Sequence, residues 1–101
     1  MTPNLCFQGK MMLYMVIEKF KTPGAVEIYR RARDRGRLMP DGLDYVSSWI
    51  DHNFTICFQL MQTDNEQLFD RWVEQWQDLV DFEIIPVQTS AEAMQAIAPR
   101  L

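Results

Sequence analysis

Six runs of apolar and polar positions divide the chain, and their periods differ. From Met12 to Phe20 the side chains alternate every second residue, and after Pro23 the repeat lengthens. Two alternating runs flank Asp51-His52-Asn53, a second long repeat follows Asp64, and a last alternating run ends at Val87. Periods of two and of about 3.6 residues mark half-buried strands and amphipathic helices respectively. The predicted order is strand, helix, strand, strand, helix, strand.

Local signals set the boundaries. In the first strand Leu13, Met15 and Ile17 share one face, and Tyr14, Val16 and Glu18 the other. Thr22 is placed to cap a helix whose first residue is Pro23, where a missing N–H costs nothing. Ala25, Ile28, Tyr29 and Ala32 form its inner face, and Gly36 can take the positive φ that ends it. A turn at Pro40-Asp41-Gly42 leads into a strand over Leu43–Ile50. Asp51-His52-Asn53 then links it to a strand over Phe54–Met61, with Asn53 as the left-handed residue.

That third strand alternates Phe54, Ile56, Phe58 and Leu60 with Thr55, Cys57, Gln59 and Met61. Thr63-x-x-Glu66 and Asp64-x-x-Gln67 both fit a capping box for the second helix. Its stripe is Leu68, Phe69, Trp72, Val73, Trp76, Leu79 and Val80. About 15 helical residues span ~22 Å, which matches the ~23 Å of a seven-residue strand. Pro86 assigns the last strand, Phe82–Val87, to a sheet edge. A short helix over Ala91–Ala98 follows, capped by Thr89 or Ser90 and stopped by Pro99.

This order predicts an α+β ferredoxin-like βαββαβ sandwich: a four-stranded antiparallel sheet, two helices on one face, and a short C-terminal helix. The most apolar sets, Leu13/Met15/Ile17 and Phe54/Ile56/Phe58/Leu60, are expected against the helices. The other face would then carry Tyr14, Val16, Glu18, Thr55, Cys57, Gln59 and Met61, joined by Tyr45 and Trp49. Such a mixture is too aromatic for bare solvent and too polar for a dry core, so it predicts a wet interface or a ligand cleft.

Composition narrows the picture. Asn4-Leu5-Cys6-Phe7-Gln8-Gly9 resembles a tobacco-etch-virus protease site with Cys6 in place of tyrosine, so residues 1–10 read as an expression-tag remnant. The single domain is 11–101, with its native start at Met11 or Met12. A domain of about 90 residues buries only roughly 60–65% of its unfolded surface. A homodimer through the open sheet faces is therefore expected. One native cysteine, Cys57, and one histidine, His52, leave no disulfide framework and no zinc spacing, so neither metal nor cofactor is expected. No apolar run approaches the ~18 residues of a membrane span, and a reduced cytoplasmic setting follows.

The net charge of −4 hides an asymmetry. Lys19 to Arg37 holds seven basic residues against two acids, a balance of +5, whereas Leu38 to the end is −9. Arg30, Arg31, Arg33 and Arg35 project around a helix rather than along one stripe. The expectation is a solvated face paired with Glu27 and Asp34, and no nucleic-acid partner.

The strand lengths, two-helix cover and mixed second face resemble the dimeric α/β-barrel superfamily, in which two ferredoxin-like sheets face each other. More closely, Gly36-Arg37-x-x-Pro40-x-Gly42-Leu43-x-Tyr45-x-x-Ser48-Trp49, followed by Cys57-Phe58-Gln59-Leu60-Met61-x-Thr63-Asp64, resembles a small bacterial domain family of uncharacterised function. The resemblance implies the fold and supplies no catalytic residue. Superfamily relatives include cofactor-independent monooxygenases, lactone isomerases, haem enzymes and stress-responsive binding proteins, so fold alone does not select a chemistry.

Two residues are candidates for proton transfer. His52 has an unperturbed pKa near neutrality, and Glu18 is a carboxylate at the end of a central strand, where burial raises the pKa. Against these stand a plain turn residue and a strand-end charge. Cys57 reads as a small buried hydrophobe, and Trp72 and Trp76 as core. Arg37, beyond the basic helix, can bind an anion bidentately. The candidate ligand-binding set is Tyr14, Glu18, Arg37, Tyr45, Trp49, Cys57 and Gln59, in a cleft between sheet faces. The expected role is binding a small, partly apolar molecule. The alternatives are a cofactor-independent monooxygenase or isomerase, and a structural or protein-interaction module.

Overall fold

A computed structural model describes residues 10–101. Apart from Lys10, the segment read as a tag remnant lies outside the described residues. In chain order the elements are β1 (Met12–Phe20), α1 (Ala25–Arg35), β2 (Asp44–Ile50), β3 (Ile56–Thr63), α2 (Leu68–Glu74), β4 (Val80–Val87) and α3 (Ser90–Ile97). A 3-10 turn over Ala98–Arg100 closes the chain. The strands form one antiparallel sheet in the order β2-β3-β1-β4. This is the α+β ferredoxin-like fold, with β4 and its Pro86 at an edge.

Several boundaries follow the sequence signals. Gly36 ends α1 at φ 74, its N–H donating to the Ala32 carbonyl at 2.8 Å. The turn at Pro40 closes through Leu43 N–H to the Pro40 carbonyl at 3.2 Å, with Gly42 at φ 94. Thr89 and Glu92 form a reciprocal capping box on α3. Glu27 pairs with Arg30 and Asp34 with Arg33 on the solvated side of α1.

Other expectations are corrected. Gly24, not Thr22, occupies the N-cap of α1, and Pro23 precedes the helix. The left-handed residue of the hairpin is Phe54, at φ 58, not Asn53. Asp51 decides this: its carboxylate accepts from Thr55 N–H at 2.6 Å, Ile56 N–H at 2.8 Å and Thr55 Oγ1 at 2.7 Å. These bonds hold its carboxyl down at about 2 and pull the turn one residue further along. The second helix has seven residues, not fifteen. Asn65 starts it with an Asx turn to Gln67 N–H, and beyond Glu74 the chain tightens into turns through Gln77 and Leu79.

The largest correction is the phase of the sheet. Tyr14, Val16 and Glu18 of β1, with Cys57, Gln59, Met61 and Thr63 of β3, are buried under the helices. Val16 and Met61 are 0% exposed. Leu13, Met15, Ile17, Ile56, Phe58 and Leu60 lie on the uncovered face. A one-residue change of phase exchanges the two faces, and here both are apolar enough that hydrophobicity cannot choose. Aromatic packing makes the choice. Phe69 meets Tyr14 edge-on at 5.0 Å and Trp72 meets Phe82 at 5.1 Å, so the aromatic stripe after β3 seats on the even-numbered residues of β1 and β4.

A bulge also separates two aromatic residues expected on one face. The β2–β3 register slips between Tyr45 and Ser47, so Tyr45 lies opposite Met61 on the covered side. Trp49 lies opposite Phe58 on the open side. An extra residue on one strand reverses the alternation beyond it.

Truncating Met61 to alanine opens a cavity at the best-packed point of the sheet and is expected to cost about 2–5 kcal/mol in urea unfolding. His52→Ala, at the exposed hairpin tip, is expected to fall within about 0.5 kcal/mol of the parent.

Candidate functional site

A cavity of about 140 Å³ lies between the covered face of the sheet and the helices. The sheet provides its polar floor: Glu18 from β1, Cys57 and Gln59 from β3, and Ser48 at the margin from β2. The helical side provides an apolar roof of Ile28, Tyr29 and Ala32 from α1, with Trp72 and Trp76 from α2 and the turn after it. Arg37 enters from the loop between α1 and β2. Tyr29 stands at the mouth. It also borders a wider open groove and meets Phe54 edge-on at 6.5 Å.

Arg37 is held at both ends. Gly36 at φ 74 and Leu38 at φ 61 turn the backbone sharply on either side of it. The reversal aims its carbonyl at α2, where the indole N–H groups of Trp72 and Trp76 donate to it at 3.1 and 2.9 Å. Left-handed backbone costs a non-glycine residue such as Leu38 roughly 1–2 kcal/mol, and two hydrogen bonds of about 1 kcal/mol each offset that. The side chain leaves on the opposite side. Its guanidinium lies 3.7 Å over the Tyr45 ring, and Nη1 donates to Gln59 Oε1 at 3.3 Å. Tyr45 is in turn tied to Ser48 by a 2.7 Å hydroxyl–hydroxyl bond.

Glu18 is the anomalous group. It is 8% exposed, and its Oε2 has no hydrogen-bond partner among the described residues. Burial pushes its carboxyl up to about 7, against a weaker opposing pull from Arg37. An orphaned buried carboxylate oxygen costs several kcal/mol unless something else satisfies it. Cys57 beside it is pushed up to about 12, first by burial and then by Glu18, so its thiol stays protonated and is no nucleophile.

Of the seven residues expected to bind ligand, four line this cavity: Glu18, Arg37, Cys57 and Gln59. Tyr45 supports it through Arg37. Tyr14 shares the covered face but packs further along β1, against Phe69 and within 3.5 Å of Glu66. Trp49 is on the opposite face, and His52 is outside the cavity wall. The expected cleft between two sheet faces is therefore corrected: these polar residues open into the space between sheet and helices of a single chain. Sequence reasoning missed Trp72 and Trp76 as wall residues. Their spacing of four marks a shared helix face, and nothing in it distinguishes a core from a cavity roof.

Residues 12–101 match the family described as Domain of unknown function (DUF3303). The chain belongs to this family. No curated protein and no solved structure matches the chain. In this DUF3303 domain the described residues include no group of three or more His, Cys, Asp or Glu side chains that could hold a metal ion. No helix among them is long and apolar enough to cross a membrane.

Protonation of Glu18 sets a pH dependence. Its folded value of about 7 lies above the ordinary 4.5, so the folded chain holds a proton that the unfolded chain has lost across that window. Stability from this group is fully present below about 4.5 and falls as pH rises through about 7, by at most about 3 kcal/mol. Urea unfolding at about pH 5 and about pH 8.5 should show that fall. Glu18→Gln should flatten it.

Proposed function

We propose that this DUF3303 domain is a homodimeric binding protein for a small, partly apolar molecule, held in the cavity between sheet and helices of each protomer. The observation that carries the binding reading is Glu18 Oε2, a buried acceptor facing a ring-lined space with no partner of its own. A volume of about 140 Å³ is close to that of an apolar cavity of roughly 150 Å³ that admits benzene. It is well below the ~300–1,000 Å³ of drug-sized sites. The ligand is accordingly about one ring in size.

Dimerisation rests on the uncovered sheet face. Leu13, Met15, Ile17, Phe58, Leu60 and Ile85 are contiguous across β3, β1 and β4, and Trp49 extends the patch on β2. Four strands about 4.8 Å apart and some eight residues long cover roughly 500 Å² in plan. Once side-chain relief is counted, that approaches the ~800 Å² per partner of a standard interface. A second copy is the occupant that matches such a face in size and chemistry at once, because a two-fold contact sets the patch against itself.

A second reading is favoured by the same carboxyl. A group that titrates near neutrality at the floor of an apolar cavity suits general acid–base work, as in a cofactor-independent monooxygenase or isomerase of dimeric α/β-barrel type. Turnover of a small ring substrate that is lost in Glu18→Gln with binding retained would favour it.

Two measurements test the primary reading. Ring-sized apolar ligands should raise the melting temperature in proportion to ln(1 + [L]/Kd). Light scattering at micromolar concentration should give a dimer that Phe58→Glu converts to a folded monomer. A parent protein that is monomeric, or that no ring-sized ligand stabilises, would refute the corresponding half.

A further inference from the structure

The cavity floor constrains the chemistry of what fills it. Glu18 and Arg37 line the same space, yet they form no ion pair among the described residues. Glu18 Oε2 lacks any donor. Arg37 has five N–H groups available, and the one bond its side chain makes among the described residues is from Nη1 to Gln59. Gln59 does not fill the gap: its Oε1 accepts from Arg37, its Nε2 donates to Met61 Sδ at 3.4 Å, and no bond from it reaches Glu18 Oε2. The site therefore presents one unsatisfied acceptor and spare donors in the lining of one ring-sized, largely apolar space.

We propose that the ligand is a hydroxyl-bearing molecule with a body the size of one six-membered ring, its O–H donating to Glu18 Oε2 and its oxygen accepting from Arg37. This rests on the reading that the cavity is a binding site. Other ligand classes fit less well. A carboxylate would satisfy Arg37 but set a second anion beside Glu18. An ammonium would satisfy Glu18 but set a cation beside Arg37. A bare carbonyl would accept from Arg37 and leave Oε2 an orphan. A hydroxyl both donates and accepts, and it is neutral, which suits a roof of Ile28, Trp72 and Trp76. The walls add face and edge contacts for a flat ring.

The test compares phenol with toluene, which share the ring and differ in the donor, by calorimetric titration of the full chain at about pH 5.5 and about pH 8.5. Phenol stays neutral across this range, whereas Glu18 ionises within it. A charge-assisted hydrogen bond should tighten phenol binding about tenfold at the higher pH, while toluene, which offers the carboxylate no donor, should bind no tighter there. Glu18→Gln should still bind toluene, with no change between the two pH values, and should lose the pH dependence for phenol. Parallel pH profiles for phenol and toluene would overturn the hydroxyl assignment while leaving the binding site standing. Tighter phenol binding at the lower pH would also overturn it, since Glu18 would then be the donor. Failure of both rings to bind would overturn the cavity reading itself.

Discussion

The backbone carbonyl of Arg37, gripped by two indole N–H groups, is the contact on which the arrangement of this domain depends. Trp72 reaches it at 3.1 Å from α2, and Trp76 at 2.9 Å from the turn just beyond. That grip fixes the α1–β2 loop to the α2 region and holds Leu38 in a backbone conformation it would not adopt freely. It also decides where the guanidinium goes. With the carbonyl turned toward the helix, the side chain must leave toward β2, where Tyr45 and Gln59 receive it. The same indoles roof the cavity, so the group that shapes the space also aims the cation at it. Tryptophan suits this position because its large apolar body fills the layer while its one polar atom finds a partner.

The two faces of the sheet do different work. The covered face holds the polar floor of Glu18, Gln59 and Cys57, and the uncovered face has an apolar centre bordered by Lys19, Asp44, Gln62, Asp81 and Glu83. This inverts the usual economy of a two-layer sandwich, in which the driest residues lie under the helices. It is intelligible if both faces are destined for burial. A face that meets another copy can be dry at its centre and polar at its rim, whereas a face that holds a ligand must keep groups that recognise it.

Element order, strand pairing, the Pro40 turn and the Gly36 stop were legible in the sequence, because each rests on a short-range rule of period or backbone freedom. The site was legible in its parts and not in its geometry. Glu18 and Gln59 stood out as polar groups on a mixed strand face, Arg37 as an anion-binding side chain and Cys57 as a small buried hydrophobe, and the four do meet in one cavity. Which side they meet on depends on sheet phase, and phase follows hydrophobicity only when one face is clearly drier than the other. Here Glu18 and Gln59 argued for the wet side while lying on the buried one. The bulge beside Val46 was invisible for a related reason: it displaces Trp49 from Tyr45 without altering the local composition. The late start of α2 reflects Asn65, whose Asx turn competes with the capping boxes at Thr63 and Asp64, and its early end the turns through Gln77 and Leu79.

Glu18 links stability to chemistry. A residue chosen for folding alone near the C-terminal end of β1, opposite Cys57 and Phe82, would be apolar, since an orphaned carboxyl weakens the fold and does so increasingly as it ionises. Its loss must be offset elsewhere, and the covered side offers little, because the remaining space is the cavity. The open face is the large apolar surface still unburied in a lone chain. Association through that face would supply stabilisation that the inner layer gives up, at a distance from Glu18 and without closing the cavity. In that arrangement, pairing of two copies is the condition under which each protomer can keep an unpaired carboxyl ready for a ligand.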